Sequence, residues 1–348
     1  MNTKTHEIIH AAQRALNNLD AERAEESDYP LHANDNRSRI LFADMGSAQC
    51  DGLCVEYYGE VWEDAWQIAL DAITNTDVAS RLSLLRITGP DEGANGSRTH
   101  DFSPLLKSNA HFPDLREFYI RPTGVNDHNM VDIADDQITA IVSRCPNLER
   151  LTLPQAPQPE FFKLSLPKLH YLNIGMAWQT HGFIRHLAAH HNMPALMHLE
   201  FSDSLSVFKQ DNAGTREIEK PTSPFELDES ARTFMAKLGK LGYGDTEDLE
   251  KMLANANQTY KAALENSTFD DSITSYADYC ALIKSSAIHQ GMVLHLRNAH
   301  LRESEFRQLR VLRPDVQLSA AVEAPHVYIA HWDEKFNTPY RHLLISQR

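Results

Sequence analysis

CPNLERLTL (145–153) carries leucines at its fourth, seventh and ninth positions, Leu148, Leu151 and Leu153. Four further stretches share this spacing, with Phe or Ile replacing some leucines. They are SRLSLLRIT (80–88), FPDLREFYI (112–120), LPKLHYLNI (166–174) and MPALMHLEF (193–201). Their first apolar positions lie 33, 33, 21 and 27 residues apart. Because strand side chains alternate, each unit predicts a short strand with one apolar side, and stacked repeats would share one core.

Weaker units follow the five matched ones. They are GMVLHLRNAHL (291–301), PDVQLS (314–319) and HVYIAHW (326–332), of which the last two are degenerate. Between units, DDQITAIVSRC (135–145) and THGFIRHLAAHH (180–191) have helical apolar spacing, and FSPLLKSN (102–109) is a shorter element of the same kind. Ahead of the repeats, RILFADM (39–45) and CVEYYGEV (54–61) predict strands, and WEDAWQIALDAI (62–73) predicts a helix. Strands alternating with helices indicate an α/β fold with a parallel sheet.

These units resemble the leucine-rich repeat family, over residues 80–170 and, in part, 190–335. The resemblance implies a solenoid with parallel strands on its concave face and helices on its convex face. The spacing is irregular, and the Asn that ends the family's usual strand is mostly missing. These departures suggest the irregular, longer repeats of cytoplasmic ribonuclease-inhibitor-like members. The WEDAW and DFSPLL segments also resemble bacterial cytoplasmic leucine-rich repeat proteins, a group without a defined enzymatic activity.

Four segments are predicted. Residues 1–38 form an N-terminal helix (5–26) and a linker, 39–204 a cap region and repeats, 205–286 an α-helical insertion, and 287–348 the final repeats and a cap. Within the insertion, KQDNAGTREIEKPTSP (209–224) lacks periodicity and is interpreted as a mobile loop. Three helical apolar faces follow it, the last through Ile273, Tyr276, Cys280 and Ile283. Since insertions in repeat proteins often lie on the binding side, this one is a candidate contact element.

The positions between the apolar ones predict a second, exposed row of side chains on the concave face. Tyr and Arg are enriched in protein interfaces. We therefore expect a non-enzymatic scaffold that binds a protein partner through this row and through the helical insertion. The predicted contact residues are Arg116, Tyr119, Arg121, Arg150, Thr152, Tyr171, Asn173, His198, Glu200, His295 and Arg297.

The chain is acidic, with a formal net charge of −15 and a pI near 5.6. This charge argues against nonspecific binding to nucleic acid or to an anionic membrane, and it allows a basic partner. An alternative function is therefore neutralisation of a basic toxin or nuclease. No apolar run reaches the roughly 20 residues of a membrane-spanning helix, and no secretory signal is evident, so a cytoplasmic location is expected. The oligomeric state stays open.

One motif predicts a different function. His6-Glu7-Ile8-Ile9-His10 spells HEIIH, in which two His four apart on a helix can hold zinc and the Glu can act as general base. The nearest candidates for a third ligand are Glu22, Glu25 and Glu26. A zinc hydrolase is thus a second alternative. The competing interpretation is an amphipathic helix that caps the repeats and carries two surface histidines.

The remaining patterns predict no catalytic site and no cofactor. Four scattered cysteines, Cys50, Cys54, Cys145 and Cys280, fit reduced thiols. His186 and His190 are four apart on a predicted helix without a carboxylate placed as in HExxH, which favours a surface histidine face. Neither a GxSxG motif nor a glycine-rich phosphate loop occurs in the sequence.

Overall fold

Nine strands, taken almost in chain order, build the main sheet of the computed structural model. The structure describes residues 3–26, 38–44, 52–59, 61, 64–90, 97–124, 127, 129–134, 137–177, 179–203, 208–210, 216–218, 274–299 and 301–321. The strands are β1 (Arg39–Asp44), β2 (Leu53–Tyr58), β3 (Leu82–Thr88), β4 (Ser97–His100), β5 (Glu117–Ile120), β6 (Met130–Ile133), β7 (Arg150–Leu153), β8 (Tyr171–Ile174), β9 (His198–Ser202), β10 (Phe208–Gln210), β11 (Arg216–Ile218), β12 (Val293–Arg297) and β13 (Gln317–Ala321).

The order in the main sheet is β1-β2-β3-β5-β7-β8-β9-β12-β13. From β2 to β13 every neighbouring pair is parallel, whereas β1 pairs with β2 antiparallel. A smaller parallel pair, β4 with β6, lies outside this sheet. The α/β class expected from the sequence is confirmed, with a large and mostly parallel sheet.

Helices connect the strands and contact one another in chain order. They are α1 (Thr3–Glu26), α2 (Asp64–Thr74), α3 (Thr76–Ala79), α4 (Ser103–Lys107), α5 (Gln137–Val142), the 3₁₀-helix Pro159–Lys163, α6 (Phe183–Ala189), α7 (Tyr276–Lys284) and α8 (Glu303–Leu312). Contacts run from α1 to α2, α4, α5, the 3₁₀-helix, α6, α7 and α8 in turn. The short helical elements predicted before β5, before β7 and before β9 are confirmed as α4, α5 and α6.

The apolar positions of the repeat units line up across the strands. The register places one row of buried side chains side by side: Leu85, Phe118, Leu151, Leu172, Leu199, Leu294 and Leu318. All are at most 8% exposed and belong to one hydrophobic cluster that also contains the buried faces of the helices. The spacing in the sequence therefore predicts which residues form the core, because a period of two keeps one row on one side of the sheet.

The first helix packs on the body of the protein. Ile9 and Leu16 of α1 are fully buried in the main cluster. Thr5 donates its hydroxyl to the carbonyl oxygen of Asp77 at 3.0 Å, and the backbone N–H of Ile40 donates to Oε1 of Gln13 at 2.7 Å. Because Ile40 lies on the edge strand β1, α1 both covers apolar surface and accepts from an N–H group of that edge.

The chain divides into two compact units, Met1–Ser206 with Ser272–Arg348, and Val207–Asp271. In the second unit the described residues are the antiparallel pair β10 and β11, which lies, apart from Phe208, inside the segment predicted to be a mobile loop. The helices predicted for residues 231–264, and the last repeat at 326–332, lie outside the described residues.

The position of α7 differs from the sequence-based division, which placed residues 274–286 in the insertion. Helix α7 belongs to the larger unit, where it contacts α6 and α8. Tyr279, Leu282 and Ile283 are buried in the main cluster. Its apolar face therefore completes the row of helices, which periodicity alone cannot assign to one unit or the other.

Candidate functional site

The side of the main sheet opposite to its buried row carries polar and aromatic side chains, and we call this side the polar face. It is formed by Glu56, Arg86, Glu117, Tyr119, Arg121, Arg150, Thr152, Tyr171, Asn173, His198, Glu200, His295, Arg297 and Ser319. Alternation places them there, because each lies one position from a buried residue of a strand; Arg121 directly follows the last residue of β5. A central row crosses the sheet in register through Arg86, Tyr119, Thr152, Asn173, Glu200, His295 and Ser319.

Glu117 bridges two arginines on neighbouring strands. Its Oε1 lies 3.3 Å from Nη2 of Arg86 on β3, and its Oε2 lies 3.5 Å from Nε of Arg150 on β7. The Arg86 and Arg150 side chains are each 45% exposed, so both ion pairs are weak contributors to stability. Their main effect is to orient two guanidinium groups over the sheet.

Arg150, Tyr171 and His198 form a stack across three strands. The guanidinium carbon of Arg150 lies 4.0 Å from the centre of the Tyr171 ring, a cation–π distance. The Tyr171 ring centre lies 4.8 Å from that of His198, with 30° between the planes. Arg86 makes a similar but longer contact with Tyr119, at 5.4 Å. Arg86 and Arg150 are therefore held against aromatic rings.

Glu200 is the centre of a second group of contacts. The hydroxyl of Tyr171 donates to its Oε1 at 2.9 Å, and Nε2 of His198 lies 3.1 Å from the same oxygen. Burial raises the pKa of Glu200, but the Tyr171 hydroxyl, the Arg297 charge and His198 together outweigh it and hold this pKa below its ordinary value. Burial and the neighbouring carboxylate raise the pKa of Tyr171 to about 12. At neutral pH this pair is a charged carboxylate and a neutral phenol.

Arg297 reaches across the sheet from β12 to β8. Its Nη2 donates to Oδ1 of Asn173 at 2.5 Å and to the carbonyl oxygen of Ile174 at 3.4 Å. Strand β9 lies between, so the side chain crosses above Ser202, its neighbour in register, and Ser202 is buried. At the far end of the face, Nδ1 of His295 lies 2.8 Å from Oγ of Ser319.

The structure brings nearly all predicted contact residues to one face, with three qualifications. Thr152 lies between Tyr119 and Asn173 in the central row and is 5% exposed, so it offers little surface to a partner. Arg116 precedes β5 at the edge of the face, 3.9 Å from Glu149. Arg121 follows β5 and donates to Oδ1 of Asp127 at 2.5 Å.

Glu56, Arg86, Glu117 and Ser319 are on the polar face but are absent from the predicted contact set. Arg86 occupies the same position between Leu85 and Ile87 that Tyr119 occupies in the next unit, so the spacing of the first unit could have identified it. Glu56 lies on β2, ahead of the repeats, and is placed beside Arg86 by the parallel pairing of β2 with β3. Its strand has no leucine pattern that would predict this pairing.

The HEIIH segment lies in the second turn of α1. The ring centres of His6 and His10 are 6.0 Å apart, and Glu7 is exposed. The proposed third ligands Glu22, Glu25 and Glu26 are on the same helix, which rises 1.5 Å per residue. Glu22 is thus about 18 Å from His10 along the axis, and a shared metal ion would need ligands within about 2.2 Å of it. These three candidates do not complete a site.

No group of three or more potential metal ligands occurs among the described residues. His186 lies on α6 and His190 directly after it, with ring centres 6.1 Å apart, and both stack near the Phe162 ring. Nδ1 of His190 lies 2.8 Å from the carbonyl oxygen of His186, a contact typical of a helix end. Over the same described ranges, no helix is long and apolar enough to cross a membrane.

Comparisons with known proteins leave the family open. No protein-family model, no curated protein and no solved structure matches the chain. The leucine-rich repeat resemblance therefore stays a prediction from the sequence, and any function must be argued from the geometry of the polar face.

Proposed function

We propose that the chain is a leucine-rich repeat solenoid that works as a non-enzymatic scaffold and binds a protein partner through its polar face. The observation that carries the proposal is the continuous surface of arginines and aromatic rings across neighbouring parallel strands. Extended surfaces of this kind are how repeat proteins commonly bind their partners.

A repeated turn supports the solenoid part of the proposal. In six units a backbone N–H one or two residues ahead of the repeat strand donates to the carbonyl oxygen three residues earlier, at 3.1–3.3 Å. The donors are Leu115, Leu148, Leu169, Leu196, Met292 and Val316. Strands that enter the same sheet through the same turn, with helices between them, are what a stack of structural repeats requires.

The side chains of the polar face are held in place in the free protein, which supports the proposal that this face binds a partner. Arg86, Arg150 and Tyr171 are held by ion pairs, stacking and a hydrogen bond in the free protein. Immobilising a long side chain on binding costs about 0.5–1.5 kcal/mol, and a surface that is already ordered avoids part of that cost. Arg and Tyr are also the residue types that dominate binding hot spots.

The charges of the polar face favour a partner of mixed charge over a strongly basic one. The face carries four arginines, Arg86, Arg121, Arg150 and Arg297, and three glutamates, Glu56, Glu117 and Glu200. The acidity of the chain, −15 overall, therefore resides elsewhere. A neutraliser of a basic toxin or nuclease would have to use those other surfaces, and its binding would fall steeply with salt.

In the experiment, the tagged chain captures partners from the native cytoplasm. The amount of partner recovered is compared with the amount recovered by the triple variant Tyr119→Ala, Tyr171→Ala and His198→Ala. Loss of a central aromatic anchor typically costs 2 kcal/mol or more, so recovery should fall by at least about 30-fold. Arg310→Ala on the exposed side of α8 is the control and should leave recovery unchanged. Equal recovery by the triple variant and the wild type would refute the polar-face proposal.

A further inference from the structure

One buried carboxylate fastens together the two points where the chain leaves and re-enters the larger unit. Asp203 follows β9 directly and is fully buried. Its Oδ1 accepts from both the backbone N–H and the hydroxyl of Thr274, each at 3.2 Å, and its Oδ2 accepts from the hydroxyl of Tyr279 at 2.8 Å. The N–H of Asp203 donates to the carbonyl oxygen of Arg297 on β12 at 2.9 Å. We call this arrangement the Asp203 clasp.

The chain continues as an ordinary repeat directly after the clasp. Ser275 caps α7, its hydroxyl accepting from the N–H of Asp278 at 3.1 Å while the Asp278 carboxylate accepts from the N–H of Ser275 at 3.2 Å. Helix α7 then contacts α6 and α8, and β12 pairs with β9 in register from Val293 opposite His198. Neither the helix row nor the sheet is interrupted at this point.

The length of the repeat also indicates that the chain forms an ordinary repeat across the clasp. Met292 donates in the repeated turn where Leu196 does in the preceding unit, and the two are 96 positions apart. The 70 residues 204–273 lie between the two ends of the clasp, and without them Met292 would follow Leu196 by 26 positions. The other repeats are 21 to 33 residues long. A complete repeat is therefore present once this segment is left out.

We infer that residues 204–273 are a module grafted into a complete repeat, and that the Asp203 clasp closes the repeat so that the body folds without them. Given the proposed function, on which this point rests, the polar face binds its partner independently of this module. The clasp supplies the physical reason, because it holds Asp203 and Thr274 side by side through groups that both belong to the larger unit.

The test replaces residues 204–273 with Gly-Gly, and in a second variant with four glycines, either of which can span neighbouring chain ends. Both shortened chains should unfold cooperatively, within about 5 °C of the midpoint of the larger unit in the full chain, since shorter loops cost less closure entropy. In the full-length protein, a protease site placed between residues 219 and 225 should be cut without separating the two fragments.

The outcomes separate this inference from the proposed function. If both shortened chains are unfolded, or if the cut protein falls into separate unfolded fragments, the body depends on the module and the inference is wrong. Partner recovery by the shortened chains at the level of the full chain is the expected result. Folded shortened chains that recover no partner overturn the claim of independent binding, while the proposed function is judged separately by the triple variant in the full chain.

Discussion

Tyr171 donates its hydroxyl to Oε1 of Glu200 at 2.9 Å, joining β8 to β9 on the polar face. The Tyr171 ring carries Arg150 on one side and packs on His198. One tyrosine on β8 thus orients a cation from β7 and an imidazole and a carboxylate from β9. This relationship explains why the middle of the face is ordered before any partner binds.

Removal of the Tyr171 hydroxyl should lower the free energy of unfolding slightly and take away one hydrogen bond that Glu200 accepts. Tyr171→Phe loses a hydrogen bond to a charged group, worth about 1 kcal/mol at a half-exposed position. It should also raise the pKa of Glu200, because the phenol stabilises the charged form. Urea unfolding and NMR titration of the Glu200 carboxyl measure the two effects.

Tyr119→Phe is the matched control, since no side-chain hydrogen bond of the Tyr119 hydroxyl is found among the described residues. It should change the free energy of unfolding by less than about 0.5 kcal/mol. A Glu200 pKa that is the same in Tyr171→Phe and in the wild type would contradict the assigned hydrogen bond.

A larger effect is expected at the Asp203 clasp. Tyr279 is fully buried, and Tyr279→Phe leaves the carboxylate of Asp203 with one donor fewer in an apolar setting. The expected loss is about 2 kcal/mol in the free energy of unfolding. Tyr276→Phe, one turn earlier on α7, removes an exposed bond to Gln308 and should cost less than about 0.5 kcal/mol. Equal costs in the two variants would argue against the clasp.

His100 should make the fold sensitive to mild acid. Burial, with a smaller contribution from the charge of Arg98, lowers the pKa of His100 to about 4, against about 6.5 in an unfolded chain. Between these values the unfolded state binds the proton and the folded state does not, so stability falls as the pH drops from about 6.5 to about 4. Between pH 7.5 and 5.0 this residue should account for about 2 kcal/mol.

The variant His100→Asn removes the titrating ring, and the difference in urea midpoint between pH 7.5 and 5.0 should shrink accordingly. Thr99→Ala, an exposed change on the same strand, should leave the wild-type difference in place. An unchanged difference in His100→Asn would mean that other groups cause the acid sensitivity.

Arg144 donates hydrogen bonds to the carbonyl oxygens at the C-terminal end of α4. The planar guanidinium group is needed to reach all of them at once. Its Nη1 donates to the carbonyl oxygens of Leu105, Ser108 and Ala110 at 2.9–3.2 Å, and its Nη2 to that of Leu106 at 2.7 Å. Arg144→Lys keeps the charge but loses the planar fork, with an expected cost of about 2 kcal/mol by thermal or urea unfolding. Arg116→Lys, at the exposed edge of the face, should leave the free energy of unfolding almost unchanged. A loss there as large as that in Arg144→Lys would mean that the cost does not come from the four carbonyl contacts of Arg144.

Zinc should not copurify with the chain at one ion per molecule. His6 and His10 share α1 with all three carboxylates proposed as the third ligand, and a straight helix cannot bring these together. Elemental analysis of the wild type and of His6→Ala should give the same low zinc content. Stoichiometric zinc in the wild type that is lost in His6→Ala would revive the hydrolase hypothesis.

The sequence predicts the core row and the polar face because both depend on a period of two within each strand. Leu151 and Thr152 are assigned to opposite sides by that rule alone. The pairing between strands is harder to predict from the sequence, because the loops between units differ in length. The contacts of Glu117 with Arg86 and Arg150 depend on the register of that pairing and are therefore not predicted. Contacts between distant residues, such as Asp203 with Thr274, follow from the closed fold and have no local signal. The burial of Thr152 likewise depends on its neighbours Tyr119 and Asn173.

Binding through the polar face is tested most directly by site-specific photocrosslinking in the native cells. A photoreactive residue replaces either Met197, 42% exposed at the edge of the polar face, or Val311, 79% exposed on α8. We expect a partner adduct at position 197 that disappears when Tyr171→Ala is added, and none at position 311. An adduct at position 311 with none at position 197 would contradict it.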